Sequence, residues 1–206
     1  VIFAELEEEV YTLTNRRAWV AETRQALISA ARHYHSVENW GNDRVEAVYT
    51  LPAPAFTINL DKDTVWPNLR VFEWMRKWDP AGIDPYTGLM SGAAGALFRN
   101  ADASAILDSY GRELANVYYE LGSNIRFIST TQINSIKYSY LAWPTLYPYT
   151  AFNSWFMDKM PELLAVNAAL RIAILASDAG KTKTLAALDL QNYTDALTSF
   201  ATVAAK

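Results

Sequence analysis

Residues 15 to 35, reading NRRAWVAETRQALISAARHYH, decide how this chain folds. Thr23, Ala26, Leu27, Ala30, Ala31 and Tyr34 recur at the three-and-four spacing that places them along one side of an α-helix, while Arg24, Gln25, Ser29 and Arg32 fall elsewhere. One side packs and the other meets water. The packing side is narrow and rich in alanine, so a neighbouring helix or sheet edge can come close to it. Thr14 or Asn15 is placed to supply an N-cap oxygen for the first-turn amides, and Trp19 and Val20 widen the apolar side near the start.

Upstream, Ala4 to Leu13 forms a short helix with Leu6, Val10 and Leu13 on one side. Its Glu5, Glu7, Glu8 and Glu9 read as a solvated acidic start matched to the helix dipole. Asn15 breaks this helix, so residues 1–36 read as a helical hairpin. After His35 the pattern changes to alternation, giving strands at Val45–Leu51 and Phe56–Leu60 interrupted by Pro52 and Pro54. Asp61-Lys62-Asp63 turns the chain. Leu69–Trp78, bracketed by Pro67 and Asp79-Pro80 and rich in Val, Phe and Trp, reads as a strand. The glycines and prolines between Asp79 and Asp102 mark a long loop. Ala103–Tyr110 reads as a helical turn or two capped by Asp102. Asn116–Leu121 and Ile125–Thr130 flank a three-residue Gly122-Ser123-Asn124 hairpin connection, and Ser135–Trp143 is a further strand.

The last third, 154–206, is helical again. Pro161 suits a first turn, and Leu163, Val166, Leu170, Ala173 and Ile174 face inward until Gly180 stops the helix. Thr182 or Thr184 then caps a final helix on which Leu190, Tyr193, Leu197, Phe200, Ala201 and Ala204 share a face. That face either docks a partner or closes the bundle against Ala26–Tyr34, since a terminal segment frays unless something holds it. The expected fold class is α+β: N- and C-terminal helices form a bundle around an inserted antiparallel β-rich region, 45–143, in one compact unit spanning 1–206.

Composition removes several function classes. A net charge of −4 without a local run of Lys and Arg does not suit a dedicated nucleic-acid binder, which needs a basic face against phosphate. The chain has no cysteine, which eliminates disulfides, thiolate nucleophiles and cysteine metal sites. No apolar run approaches the roughly 20 residues of a membrane span, and a soluble protein is expected. The sequence starts at Val1 without a methionine, and a few native residues before it are an expectation. Seven Trp and twelve Tyr suit a packed core and interfaces.

Individual motifs fail on spacing. Gly180-Lys181-Thr182 ends like a phosphate loop, but Leu175 stands where its first glycine belongs and a helix precedes it. Asp61-Lys62-Asp63 opens like a calcium loop, yet Val65 and Trp66-Pro67 replace a ligand and the glycine turn. His33 and His35 point about 200° apart on a helix and cannot share one metal from the same face; His35 is placed to meet terminal carbonyls. Ser91 lacks the Gly-x-Ser-x-Gly frame. Asn192-Tyr193-Thr194 matches a glycosylation acceptor by chance, mid-helix. Asp43, Glu46, Asp61, Asp63, Asp79 and Asp84 are the carboxylates from which an acid–base pair could be drawn, making a carbohydrate-active or peptidoglycan hydrolase the alternative reading. No catalytic, cofactor or metal site is assigned, and a structural or interaction protein is expected.

Glu9-Val10-Tyr11-Thr12-Leu13-Thr14-Asn15-Arg16-Arg17, running into Val20-Ala21-Glu22-Thr23-Arg24-Gln25-Ala26 and ending Arg32-His33-Tyr34-His35, resembles the opening of the head-to-tail adaptor (connector, or head-completion) proteins of tailed bacteriophages. The similarity continues through Trp66-Pro67-Asn68-Leu69-Arg70, Ile106–Tyr110, Ile125-Arg126-Phe127 and Tyr149–Met157, covering most of the chain. The resemblance implies a virion protein of the neck, assembled in the host cytoplasm into a dodecameric ring beneath the portal. It would contact neighbouring subunits, the portal protein and a downstream neck or tail protein, with genomic DNA passing through during ejection and no membrane contact. The terminal helices would build the ring and touch the portal, with the face from Leu190 to Ala204 as the candidate assembly surface, while the β-rich middle would face the tail. An acidic lumen would let DNA slide past.

Overall fold

The computed structural model describes residues 2–83, 90–102 and 116–200, without side chains at 80–83 and 90–93. The fold is α+β, with terminal helices flanking a central β-rich region. Where one compact unit is expected, the chain divides into two, because two separate apolar cores form. Among the described residues, one unit comprises 2–43 and 143–200 and the other lies within Arg44–Ala142.

The helical unit begins with α1, Phe3–Thr14, and α2, Val20–Val37. Asn15 ends α1 in the left-handed conformation, φ 59°, its amide donating to the carbonyl of Tyr11 at 2.7 Å; asparagine tolerates this region better than branched residues do. Thr14 is therefore the last residue of α1 and Asn15 its C-cap. Neither caps α2, which starts five residues later behind Trp19 with no side-chain cap. All six residues expected on the packing side of α2 are buried, with Ile28 and His35 beside them, whereas Val20 is exposed. The acidic start of α1 is less wet than expected: Glu7 is buried and its carboxylate pairs with Arg24 at 2.5 Å.

After the β-rich insertion come α4, Trp155–Lys159, α5, Pro161–Leu175, and α6, Ala179–Phe200. Among the described residues of the insertion, one short helix, α3, Lys62–Val65, precedes them in the chain. Helix α5 is the centre of this unit, packing against α1, α2 and α6. Its run from Leu163 to Ala169 is wholly buried, and its alanines let α2 approach closely. Gly180 does not stop α5. The helix ends at Leu175, Ser177 turns left-handed at φ 55°, and Gly180 lies in the first turn of α6. Asp178, not Thr182 or Thr184, caps α6, accepting from the Lys181 amide at 3.1 Å. Ile174, expected inside, is exposed, because burial of α5 fails over its last two residues.

The β-rich unit is organised by its last strand. The strands are β1, Arg44–Asp61; β2, Leu69–Ile83; β3, Met90–Leu97; β4, Arg99–Asn100; β5, Val117–Leu121; and β6, Asn124–Ala142. One edge of β6 pairs with β1 from Arg44↔Leu141 to Asp61↔Asn124. Its other edge pairs first with β5 and then with β2. The two short strands expected on either side of Pro52 and Pro54 are thus one, with a register shift between Thr50 and Ala55. The segments around Ile125 and Ser135 likewise join in β6. The sheet is mixed, since β4 runs parallel to β5.

The expected loop 79–102 is largely strand: β2 extends through Asp79-Pro80 and pairs antiparallel with β3. Gly95 serves close approach, since a Cβ there would meet the Lys77 Cβ at 2.8 Å. The hairpin between β5 and β6 has two linking residues instead of three, with Gly122 at φ 61° in the first central position. Asp61 accepts from the Thr64 amide at 2.8 Å and caps α3, so the expected turn is one helical turn. The expected helical turns at Ala103–Tyr110 lie outside the described residues.

The face of β6 bearing Ile136, Tyr138 and Tyr140 joins Trp66, Met75, Phe98 and Phe127 in the second core. Trp66 is edge-on to Phe72 and Tyr138, with centroids 5.2 and 5.6 Å away. On the other face, Arg44 grips Glu73 at 2.7 and 2.8 Å and the Ser139 hydroxyl donates to the same carboxylate at 2.6 Å. Burial alone would raise the Glu73 carboxyl, but these donors outweigh it and hold it below its ordinary value.

Candidate functional site: the polar centre and outer faces of the helical unit

The candidate assembly face separates on α6 into inner and outer positions. Tyr193, Leu197 and Phe200 are partly buried against the helical core. Tyr193 stacks on Tyr34 with ring centroids 5.7 Å apart, and Phe200 meets Trp155 at 5.4 Å. Leu190 is 66% exposed. Ala201 and Ala204 lie outside the described residues. The helical period explains the division: Leu185, Tyr193, Ala196 and Phe200 follow the inward stripe, and Leu190 sits on its flank.

Inside this unit, polar groups connect the three long helices. The Tyr34 hydroxyl of α2 donates to Asp189 of α6 at 2.5 Å, and the Asn167 amide of α5 donates to both, at 3.1 Å to each. The Arg171 guanidinium donates to the Asn167 carbonyl at 2.8 Å. Burial, reinforced by Asp189 as acceptor, pushes the Tyr34 phenol well above its ordinary range. The hydroxyl therefore stays protonated and serves as a donor.

A second network was not legible in the sequence. His35 turns inward at the end of α2 instead of meeting terminal carbonyls. Its Nδ1 lies 2.8 Å from Asp43 Oδ1 and its Nε2 lies 2.9 Å from Ser154 Oγ. Trp155 Nε1 donates to Asp43 at 2.9 Å. The order Asp–His–Ser is that of a hydrolytic triad, but a nucleophile must reach a substrate. Ser154 and His35 are each only 1% exposed, and Ser154 is the residue preceding α4. What the arrangement can do is fasten the end of α2, the turn before β1 and the start of α4 to one imidazole. Ser154 is 119 positions from His35, so no local spacing could have announced the contact.

Among the described residues, the remaining carboxylates do not come together as an acid–base pair. Asp61 caps α3, Asp79 accepts from Asn134, Glu46 and Asp63 are exposed, and Asp84 lies outside the described residues. Among the described residues, Glu9 is a carboxyl pushed upward, by burial first and then by Glu162 nearby. The Ser91 side chain also lies outside the described residues. Lys181, from the phosphate-loop-like triplet, donates to the carbonyl of Thr14 at the C-terminal end of α1, at 2.7 Å. Among the described residues, no group of three His, Asp or Glu is placed to hold a metal, and no helix is long and apolar enough to cross a membrane.

The outer surface of the same unit carries a groove of about 600 Å³ between α2 and the end of α5. Ala21, Glu22, Gln25, Ala26 and Ser29 form one wall, and Arg171, Ile174 and Leu175 form the other. Ile174 is 57% and Leu175 66% exposed. Two adjacent large apolar side chains facing water at a groove are more informative than scattered exposed leucines. No protein-family model matches the chain, and no curated protein is significantly similar to it.

Proposed function

We propose that this chain is a head-to-tail adaptor subunit of a tailed bacteriophage, a structural virion protein without catalytic chemistry of its own. The observation that carries the reading is that the segments resembling the adaptor opening hold the helical unit together. Asn15 makes the left-handed break between α1 and α2, Arg17 pairs with Glu8, Arg16 stacks over Trp19 at 4.9 Å, and Tyr34 and His35 anchor the two buried networks. The helical unit draws on both ends of the chain, and the β-rich unit is inserted between them. In a ring beneath the portal, the helical unit would contact portal and neighbouring subunits, and the β-rich unit would present strand edges and loops to the downstream neck or tail protein. The acidic net charge supports passage of DNA without adhesion.

The test is imaging of the purified protein with portal particles from the same phage. Ring-shaped density of this chain beneath the portal is the expected result. Protein that stays unbound at saturating portal, or that cleaves peptidoglycan as a single chain, would overturn the reading.

A further inference from the structure

The groove between α2 and α5 contains both halves of its own complement. One wall is low, made of Ala21 and Ala26, and the other is a ridge made of Ile174 and Leu175. The walls also carry opposite charges. Glu22, on the low wall, makes no ion pair or side-chain hydrogen bond among the described residues. Arg171, on the ridge, donates through Nε to Asn167 and pairs with no carboxylate among the described residues. A twofold axis through this face would lay each ridge on the opposite low wall and bring each Arg171 toward the other copy's Glu22. That is the self-complementarity an isologous contact requires.

The geometry points to a second copy of this chain as the occupant of the groove, in a weak symmetric dimer. A foreign partner would have to supply ridge, low wall, acid and base in the reverse arrangement, whereas this chain already presents all four. The eight lining residues place the contact at the small end of specific interfaces, below about 1,200 Å², so the dimer is transient and seen at high concentration. The inference stands apart from the adaptor reading, since it concerns the free chain and needs no portal.

Sedimentation equilibrium on the full chain tests it. The wild-type mass should rise from one chain toward two between roughly 10 µM and 1 mM. Glu22→Arg and Arg171→Glu should each move the midpoint upward about tenfold, and the double variant should recover to within about threefold of wild type. Leu175→Asp, at a position whose exposure spares the fold, should abolish association with an unchanged melting temperature. A single-chain mass throughout, a double variant as weak as the single ones, indifference to Leu175→Asp, or a mass rising past two chains would each overturn the proposal.

Discussion

His35 Nδ1 lies 2.8 Å from Asp43 Oδ1, and both side chains are almost fully removed from water. The pair ties the end of α2 to the turn before β1, while the opposite ring nitrogen reaches Ser154 ahead of α4. Replacing His35 by Ala takes one hydrogen-bonding partner from the buried Asp43 side chain and leaves a gap where the ring packs on Phe156, which should cost about 3 kcal/mol. Ser154→Ala removes one hydroxyl and should cost about 1–3 kcal/mol. Urea unfolding followed by tryptophan fluorescence ranks the two. Equal small losses would mean that the network carries little of the stability of the helical unit.

Glu9 is held above the ordinary carboxyl range by burial and by Glu162. As pH rises, the unfolded chain gives up this proton first, near its reference pKa of about 4.3, so the folded state binds more protons there and stability falls. The contribution is fully present below the unfolded pKa and is lost as pH passes through the raised folded value. Glu9→Gln should therefore raise the melting temperature at pH 7, and the advantage should disappear below about pH 4. Melts across that range showing a pH-independent difference would exclude this cause.

Ala30 is completely buried on the alanine-rich side of α2. Ala30→Leu should overpack the bundle by about 1–3 kcal/mol. Arg24, on another side, does more than a free surface arginine because it neutralises Glu7, and its guanidinium is held above its ordinary pKa by that hydrogen bond. Arg24→Ala should lower stability measurably but less than Ala30→Leu, and salt should narrow the difference between Arg24→Ala and wild type. Denaturation in low and high salt checks both orderings.

Leu190 and Phe200 separate docking from closure on α6. Phe200→Ala removes a ring packed against Trp155 and should lower the melting temperature. Leu190→Asp, at an exposed position, should leave melting unchanged and impair joining to portal if this flank meets a partner. The readout is a thermal melt beside a portal co-sedimentation assay. Normal incorporation of a folded Leu190→Asp protein would remove this flank of α6 from the assembly surface.

The sequence by itself determined the elements whose signal is local. The three-and-four spacing from Thr23 to Tyr34 gave the buried side of α2, Pro161 gave the start of α5, and alternation through Ile136, Tyr138 and Tyr140 gave the buried face of β6. Each is a periodicity that the backbone imposes on neighbouring residues. Tertiary structure decided what depends on distant partners. Extended pairing drew Pro80, Gly82, Gly92 and Gly95 into β2 and β3, because strand hydrogen bonds outweighed weak local preference. Two separate cores divided the chain where one unit was expected. The His35–Asp43–Ser154 network also depended on the tertiary fold, because a buried polar side chain takes as its partner whichever donor or acceptor the packed helices bring within reach.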